Sequence, residues 1–127
     1  MSAALPGFVP GLHGIDAYGN GGFRFADMSH RGSILLLPSG VHAVAWVEGQ
    51  GMAISHIAPL LAERAGEVDL LLVGTGRALV PVPDALRWSL RERGIGVEPM
   101  PTGAAARTYN VLVGERRRVA ALLMAVP

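Results

Sequence analysis

The pattern of apolar and polar residues changes character near residue 68. From there on, buried apolar runs alternate with segments of helical spacing. The runs Val68–Val73 and Val119–Met124 predict strands, Ile95–Glu98 predicts a short strand between them, and the segments after Pro83 and Thr102 predict helices. The order is β-α-β-α-β, which is typical of an open α/β sheet. Because the first of these strands is almost wholly apolar, we expect it to be a central parallel strand that is covered on both faces.

Both predicted helices have recognisable ends. Pro83 fixes the backbone for a first turn, Asp84 lies near the positive end of the helix dipole, and Gly94 is placed to end this helix. Thr102 can cap the next helix with its side-chain oxygen, and Gly114 ends it. We therefore predict helices between Pro83 and Gly94 and between Thr102 and Gly114.

Short runs of β-forming residues fill the N-terminal half and predict a meander of half-buried antiparallel strands. Turn-forming clusters separate the strands, and residues 27–32 are predicted to form one of these turns. After residue 51 the sequence predicts a short helix that is capped by Ser55 and stopped at Gly66. The four predicted strands are Ile15–Tyr18, Gly22–Phe25, Ser33–Leu37 and Val41–Trp46.

The length of 127 residues fits one domain, which we place at residues 15–127 behind a loosely ordered N-terminal arm of residues 1–14. The longest apolar run, Val119–Val126, is far shorter than the roughly 18 residues of a membrane span. The first 23 residues contain no arginine or lysine with which a signal or transit peptide could open. We therefore expect an unprocessed, cytoplasmic protein that does not span a membrane.

Two absences from the composition narrow the chemistry. The chain has no cysteine, which excludes thiol nucleophiles, disulfides and thiolate metal sites and fits a reducing cytoplasm. All 11 basic residues are arginine, so Schiff-base chemistry and the lysine of P-loop and kinase sites are excluded too. The four histidines form no HxxH or HxxxH pair, and no serine lies in a Gly-x-Ser-x-Gly elbow. We predict no catalytic residue, no cofactor and no metal site.

The segment Gly74-Thr75-Gly76 follows a predicted buried strand, where open α/β sheets bind ligands. Its backbone N–H groups are candidates to cradle a phosphate, and Glu98 ends the next strand about where a ribose-binding acid lies. A purely structural turn is the other interpretation. It is favoured because Leu79 occupies the third glycine position of the dinucleotide fingerprint and residues 80–83 delay the next helix.

Thr102, Tyr109 and Asn110 complete the candidate pocket around this turn. Helical spacing places one of Tyr109 and Asn110 against the sheet and the other at its margin. A buried Asn110 needs partners for its amide group, and we expect the backbone of the turn at residues 74–76 to supply them. Such bonds would lock the turn without a ligand. Direct contact between Asn110 and a ligand is the alternative.

Arginines mark two candidate surfaces. Arg87 and Arg91 lie on the helix that follows Pro83, and Arg116 and Arg117 precede the last strand. The net charge of only +1, without a zinc-finger or helix-turn-helix signature, argues against a nucleic acid as the partner. The arginines are therefore either solvated side chains or contacts to an acidic surface of a protein partner.

Taken in order, these segments resemble the Mth938-like domain family, formerly a domain of unknown function. The resemblance covers nearly everything after Gly14, and the ordered combination is more specific than any single motif. The matching segments of the C-terminal half are Leu72–Gly76, Arg93–Glu98, Thr102 with Ala105, Thr108–Asn110, and Arg118–Ala121 with Ala125 and Pro127. Those of the N-terminal half are Ile15–Tyr18, Gly22–Phe25, and Gly32–Leu35 with Pro38.

The resemblance implies an α/β (α+β) three-layer fold, in which a mixed central sheet has helices on one face and a small β layer plus a helix on the other. It also implies kinship with a mitochondrial assembly factor for respiratory complex I. That family has no established catalytic activity, so the implied role is a non-catalytic interaction or assembly factor with a protein partner, for example a respiratory-chain subunit. The alternative is a small-molecule or nucleotide-binding protein, or an enzyme, that uses the turn Gly74-Thr75-Gly76.

Overall fold

The computed structural model describes residues 9–127, which form two sheets and three α-helices. The strands are β1 (Val9–Pro10), β2 (Ala17–Gly19), β3 (Gly22–Phe25), β4 (Met28–Arg31), β5 (Ser33–Leu37), β6 (Gly40–Val44), β7 (Leu70–Gly74), β8 (Gly96–Met100) and β9 (Val119–Leu123). The helices are α1 (Ala58–Leu61), α2 (Asp84–Arg91) and α3 (Thr102–Gly114), and a 3-10 helix at Ile54–Ile57 runs into α1.

The central sheet has six strands in the order β1-β6-β5-β9-β7-β8. The strands β8, β7 and β9 are mutually parallel, whereas β9 pairs antiparallel with β5. The predicted β-α-β-α-β unit is therefore confirmed, with β7 as its central strand. Residues Leu71–Gly74 of β7 are buried, as expected for a strand that is covered on both faces.

Layers of different kinds cover the two faces of this sheet. On one face, α1 and α2 pack through residues such as Leu60, Leu86 and Leu90. On the other, Ala105 and Tyr109 of α3 share a core with the inward side chains of the small antiparallel sheet β2-β3-β4. The three-layer fold that the resemblance implied, with helices on one face and a small β layer plus a helix on the other, is confirmed.

Several local predictions differ from the structure. The N-cap of α3 is Pro101 and no side chain caps this helix, so the predicted cap at Thr102 is wrong. Residues 27–32 do not form only a turn, because Met28–Arg31 pair with β3 as a third strand of the small sheet. No side chain caps the 3-10 helix, which starts at Ile54, so the predicted cap at Ser55 is wrong. The loosely ordered arm of residues 1–14 stays a prediction, since residues 1–8 lie outside the described part of the chain. Within it, Val9–Pro10 pair with β6.

Candidate functional site

The turn Gly74-Thr75-Gly76 lies at the topological switch point of the sheet. The chain leaves β7 through α2 to reach β8 on one side, and it returns through α3 to reach β9 on the other side. Because α2 and α3 pack on opposite faces, their connections diverge at the C-terminal end of β7. Open α/β sheets commonly bind ligands in the crevice at such a point.

Both glycines of the turn have structural reasons to be glycine. A Cβ atom on Gly74 would lie 3.0 Å from the Cα atom of Thr102 and 3.0 Å from the Cδ2 atom of Leu123. Gly76 has a φ of +101°, a backbone conformation that residues with a side chain rarely adopt. A Cβ atom there would lie 3.1 Å from the sulfur of Met124. The first glycine lets α3 approach β7, and the second lets the chain turn away.

Thr102 fastens this turn to the rest of the sheet. Its Oγ1 atom accepts a hydrogen bond from the Gly76 N–H at 3.0 Å and donates one to the Met124 carbonyl at 2.8 Å. The Thr75 N–H donates to the Met100 carbonyl at 2.9 Å. The N–H groups of Thr75 and Gly76 are therefore bound inside the protein, and neither is available to cradle a phosphate.

Tyr109 and Asn110 hold a different segment from the one expected. The Asn110 side chain accepts a hydrogen bond from the Ile15 N–H at 2.8 Å and donates one to the Ile15 carbonyl at 2.7 Å. The Tyr109 hydroxyl group donates to the His13 carbonyl at 3.1 Å. The expectation that Asn110 bonds the turn after β7 is wrong, because Asn110 lies eight residues after Thr102, which contacts this turn, and therefore about 12 Å further along α3.

The six residues of the candidate pocket therefore divide into two groups. Gly74, Thr75, Gly76 and Thr102 come together at the switch point, whereas Tyr109 and Asn110 act along α3 as a clamp on residues 13–15. Asn110 is the exposed member of the set, and the other five residues are buried. Burial raises the pKa of Tyr109 well above its usual value, because the ionised phenolate would lose its hydration.

A cavity of about 270 Å³ does lie at the switch point, on the side of the sheet that carries α2. Of the six predicted pocket residues, Thr75 is the one that lines it among the described residues. The opposite wall comes from the loop after β6, which holds none of the predicted site residues. Its lining residues are Trp46, Glu48, Gly49, Gln50, Gly51, Met52, Thr75, Ala78, Val80, Pro81 and Met124.

Polar contacts hold the two loops that border this cavity. Arg77 contacts Glu48 through two N–O pairs at 3.2 Å, one to each carboxylate oxygen. The Trp46 indole donates a hydrogen bond to the Gln50 carbonyl at 3.0 Å, which folds the first loop back on itself. The glycine-rich segment from Glu48 to Gly51 was the signal in the sequence that could have marked this wall, since it separates a buried Trp46 from a buried Met52.

Arg87 and Arg91 lie exposed on α2 on either side of Trp88. The Trp88 side chain is 64% exposed, and the Arg91 guanidinium lies 5.7 Å from the centre of its ring. We call this region the α2–β8 surface. A hollow of about 570 Å³ lies in this surface. Its lining residues are Asp84, Arg87, Trp88, Arg91 and the segment Gly94–Glu98. Exposed tryptophan and arginine side chains are typical of the residues that dominate protein interfaces.

The outer edge of β8 borders the same surface, since no further strand of residues 9–127 pairs with it. Gly96 donates its N–H to Asp69, and Met100 accepts a bond from Thr75, so the even-numbered residues face β7. Val97 and Pro99 therefore turn their backbone groups outward. Pro99 has no N–H, which leaves Val97 as the outward donor of this strand.

Arg116 and Arg117 lie apart from the switch point, in the exposed turn between α3 and β9. Arg116 has a φ of +60°, so it occupies the left-handed region that this tight turn requires. Arg118, which follows Arg117, forms an exposed ion pair with Asp69 at 3.4 Å. These arginines adjoin the N-terminal ends of β7 and β9, the opposite end of the strands from Gly74.

Within residues 9–127, no three histidine or acidic side chains come close enough together to hold a metal ion. None of the helices in the same range has both the length and the apolar character that a membrane crossing requires.

Known proteins resemble this chain over most of its length. The family model described as a protein of unknown function (DUF498/DUF598) matches residues 15–124. An uncharacterised protein of Rhodobacter capsulatus is 43% identical over 127 residues, which are 100% of this chain and 95% of that protein. NADH dehydrogenase [ubiquinone] 1 alpha subcomplex assembly factor 3 is 31% identical in Mus musculus and 32% identical in Homo sapiens. These two matches cover 89% of this chain but only 60% and 61% of the mammalian proteins.

Solved structures agree with the sequence relatives. A crystal structure of a Bartonella henselae protein, described as an outer membrane protein, has a TM-score of 0.87 at 51% identity and covers 93% of this chain and 98% of its own. The solution structure of a Mth938-like domain from Bordetella pertussis has a TM-score of 0.68 at 29% identity and covers 88% of this chain and 85% of its own. Sequence and fold together show that the chain belongs to the DUF498/DUF598 family of Mth938-like domains.

Proposed function

We propose that this protein is a non-catalytic assembly factor that binds a protein of the respiratory chain, namely a subunit or another assembly factor of a complex I-like NADH dehydrogenase. The observation that carries the proposal is the similarity to mammalian assembly factor 3, which extends over 89% of the chain. The proposal includes a cytoplasmic location. Recovery of the protein in the outer membrane fraction of its own cells would contradict that part.

The polar groups at the switch point bond within the protein, whereas another surface presents exposed side chains that a partner could contact. This contrast supports a role in binding a protein. The buried hydroxyl group of Thr102 and the N–H groups of Thr75 and Gly76 all bond within the protein. By contrast, the α2–β8 surface leaves Trp88 and two arginines open to solvent. We propose that this surface contacts the partner, with Arg116 and Arg117 as a second contact.

The direct test is capture of the tagged protein from its own cells, followed by mass spectrometry. We expect subunits of the NADH dehydrogenase, or proteins bound to its partly assembled forms, to be recovered. Deletion of the gene should lower the amount of assembled enzyme on native gels. Normal assembly in the deletion strain would contradict the proposal, even if some other protein were captured.

Charge reversal locates the contact surface. We expect the double variant Arg87→Glu with Arg91→Glu to lose the captured subunits while it folds normally, because both side chains are exposed. Arg64→Glu, an exposed arginine just after α1, is the matched control and should retain them. Equal recovery by the double variant and the control would place the contact elsewhere.

The alternative function is small-molecule binding, and the cavity of about 270 Å³ beside Thr75 is the observation that favours it. This cavity lies at the switch point, although the nearest backbone donors are already bound. A ligand that binds there should raise the melting temperature of the purified protein in proportion to its concentration. A panel of nucleotides and apolar metabolites without any such effect would count against this alternative.

A further inference from the structure

The outward face of the small sheet carries two arginines over a floor of small residues. Phe23 and Phe25 of β3 are buried, so Arg24 between them points to the opposite side. The strand register pairs Arg24 with Ser29 and Gly22 with Arg31, and paired residues share a face. Arg24, Ser29 and Arg31 therefore all lie on the outward face.

Small residues form the floor of this face, so the sheet backbone lies open between the arginine side chains. A Cβ atom on Gly22 would collide with the carbonyl group of His30, so no larger residue fits at this position. Ala17 and Gly19 of β2 continue the floor on the other side, because their register partners are Arg24 and Gly22. The result is a shallow hollow of about 470 Å³.

The charged side chains of the hollow have one sign among the described residues. Its lining within residues 9–127 includes the guanidinium groups of Arg24 and Arg31 but no aspartate or glutamate. The ion pairs found in that range involve Arg77 and Arg118, so neither guanidinium of the hollow is paired with a described carboxylate. Arg24 donates a hydrogen bond to the Ser29 hydroxyl at 3.1 Å, which holds its head group over β4.

The spacing of the two arginines matches an extended chain. Arg24 and Arg31 are diagonal neighbours on adjacent antiparallel strands, so their backbone positions are roughly 7 Å apart. Two residues of an extended segment also span roughly 7 Å, and their side chains point to the same side. A segment with carboxylates at alternate positions would therefore present one carboxylate to each guanidinium.

We propose that the outward face of β2-β3-β4 binds an extended acidic segment of a partner protein that carries carboxylates at alternate positions. This inference rests on the proposed function, since it takes the partner to be a protein. Arginine forks bond carboxylates through paired N–H groups, and the small floor lets the backbone of the segment lie close to the sheet. A nucleic acid is the less suitable occupant, because the net charge of the protein is only +1.

The test measures fluorescence anisotropy with two labelled peptides of identical composition. In one peptide a single residue separates two glutamates, and in the other the two glutamates are adjacent. We expect tighter binding of the first peptide, and we expect this binding to weaken strongly at about 0.5 M salt, where exposed charges are screened. Equal binding of the two peptides would overturn the proposed spacing.

Arginine variants of the full chain show whether the peptide occupies this face. Arg24→Gln and Arg31→Gln should each weaken binding of the alternating peptide by about fivefold, whereas Arg64→Gln should leave it unchanged. The double variant Arg24→Glu with Arg31→Glu should instead prefer a peptide with lysines in place of the glutamates. Unchanged binding by all of these variants, or displacement of the peptide by a single-stranded oligonucleotide at lower concentration than by unlabelled peptide, would overturn the inference. If the variants fail these tests while NADH dehydrogenase subunits are still captured, the inference is wrong and the proposed function stands.

Discussion

The hydroxyl group of Thr102 connects three parts of the chain. It belongs to the first residue of α3, bonds the turn after β7 through Gly76, and bonds the residue after β9 through Met124. The side chain is fully buried, so water cannot replace either bond. A single oxygen atom therefore satisfies two buried backbone groups at the switch point.

We predict that Thr102→Val destabilises the protein although the two side chains have nearly the same shape. The substitution leaves the Gly76 N–H and the Met124 carbonyl buried without a partner, which should cost roughly 2 to 4 kcal/mol of the free energy of unfolding. Urea unfolding measures this loss. Thr108→Val on the same helix is the control, because the described structure gives Thr108 no side-chain hydrogen bond, and we expect a change within about 0.5 kcal/mol. Equal losses in the two variants would contradict the role of Thr102.

Tyr109 makes stability depend on pH at the alkaline end of the range. Its pKa is raised in the folded protein by burial, so the unfolded chain ionises first. The stabilisation is complete below the unfolded pKa of about 10 and is lost as pH rises above it, by up to about 1.4 kcal/mol per pH unit. Tyr109→Phe has no proton to lose and should show a shallower decline in urea unfolding between about pH 9 and 11. Parallel declines would contradict the assignment of this effect to Tyr109.

For single residues, the sequence indicated which side chains make specific polar contacts but not which groups they contact. Thr102, Tyr109 and Asn110 were singled out together, and each does make a specific polar contact. The partner of Asn110 is Ile15, 95 positions away along the chain. Helical spacing shows which residues share a face, but it carries no information on which distant backbone group lies opposite.

The contact between β7 and α3 depends on the absence of a side chain at Gly74. We predict that Gly74→Ala destabilises the protein by about 1 to 3 kcal/mol, because the added methyl group pushes against the backbone of Thr102 and forces helix and strand apart. Thermal unfolding followed by circular dichroism measures the effect.

Gly114→Ala provides the matched control for that substitution. Gly114 ends α3, and apart from its chain neighbours and the nearby backbone of its own helix no described atom lies within 4 Å of the position of an added Cβ atom. Alanine is the better helix former, so we expect this variant to be unchanged or more stable by up to about 1 kcal/mol. A loss of stability similar to that of Gly74→Ala would show that steric crowding is not the cause.

Elements with strong boundary signals were predicted best in extent, although the Thr102 hydroxyl bonds Gly76 and Met124 and does not cap α3 as expected. The helix expected between Thr102 and Gly114 is α3, and the helix after Pro83 is α2. Strand β4 was missed because Met28–Arg31 is short, polar and mostly exposed, so it lacks the apolar alternation that marks a strand. Its existence depends on the register with β3, which is a tertiary property.

At the scale of the molecule, the ion pairs of the described residues contribute little to stability. The ion pairs of residues 9–127 are Arg77 with Glu48 and Arg118 with Asp69, and all four side chains are substantially exposed. Exposed pairs contribute at most about 1 kcal/mol each and are screened by salt. We predict that raising sodium chloride from about 0.05 M to 0.5 M changes the free energy of unfolding by less than about 1 kcal/mol.

The same change in salt should weaken partner binding through the arginines far more than it alters folding. Urea unfolding and peptide anisotropy at the two salt concentrations give the comparison. A large loss of stability at high salt would mean that charges support the fold in ways that the two ion pairs do not explain.

The position of β9 has a consequence for how the chain is made. In chain order β9 is the last of the described strands, yet it lies between β5 and β7 in the middle of the sheet. Until β9 has been synthesised, the antiparallel strands β1, β6 and β5 and the parallel pair β7–β8 have no strand between them. The nascent chain therefore exposes the unpaired edges of β5 and β7 until Val119–Leu123 have left the ribosome, and chaperones that hold unfinished chains should bind it during that interval.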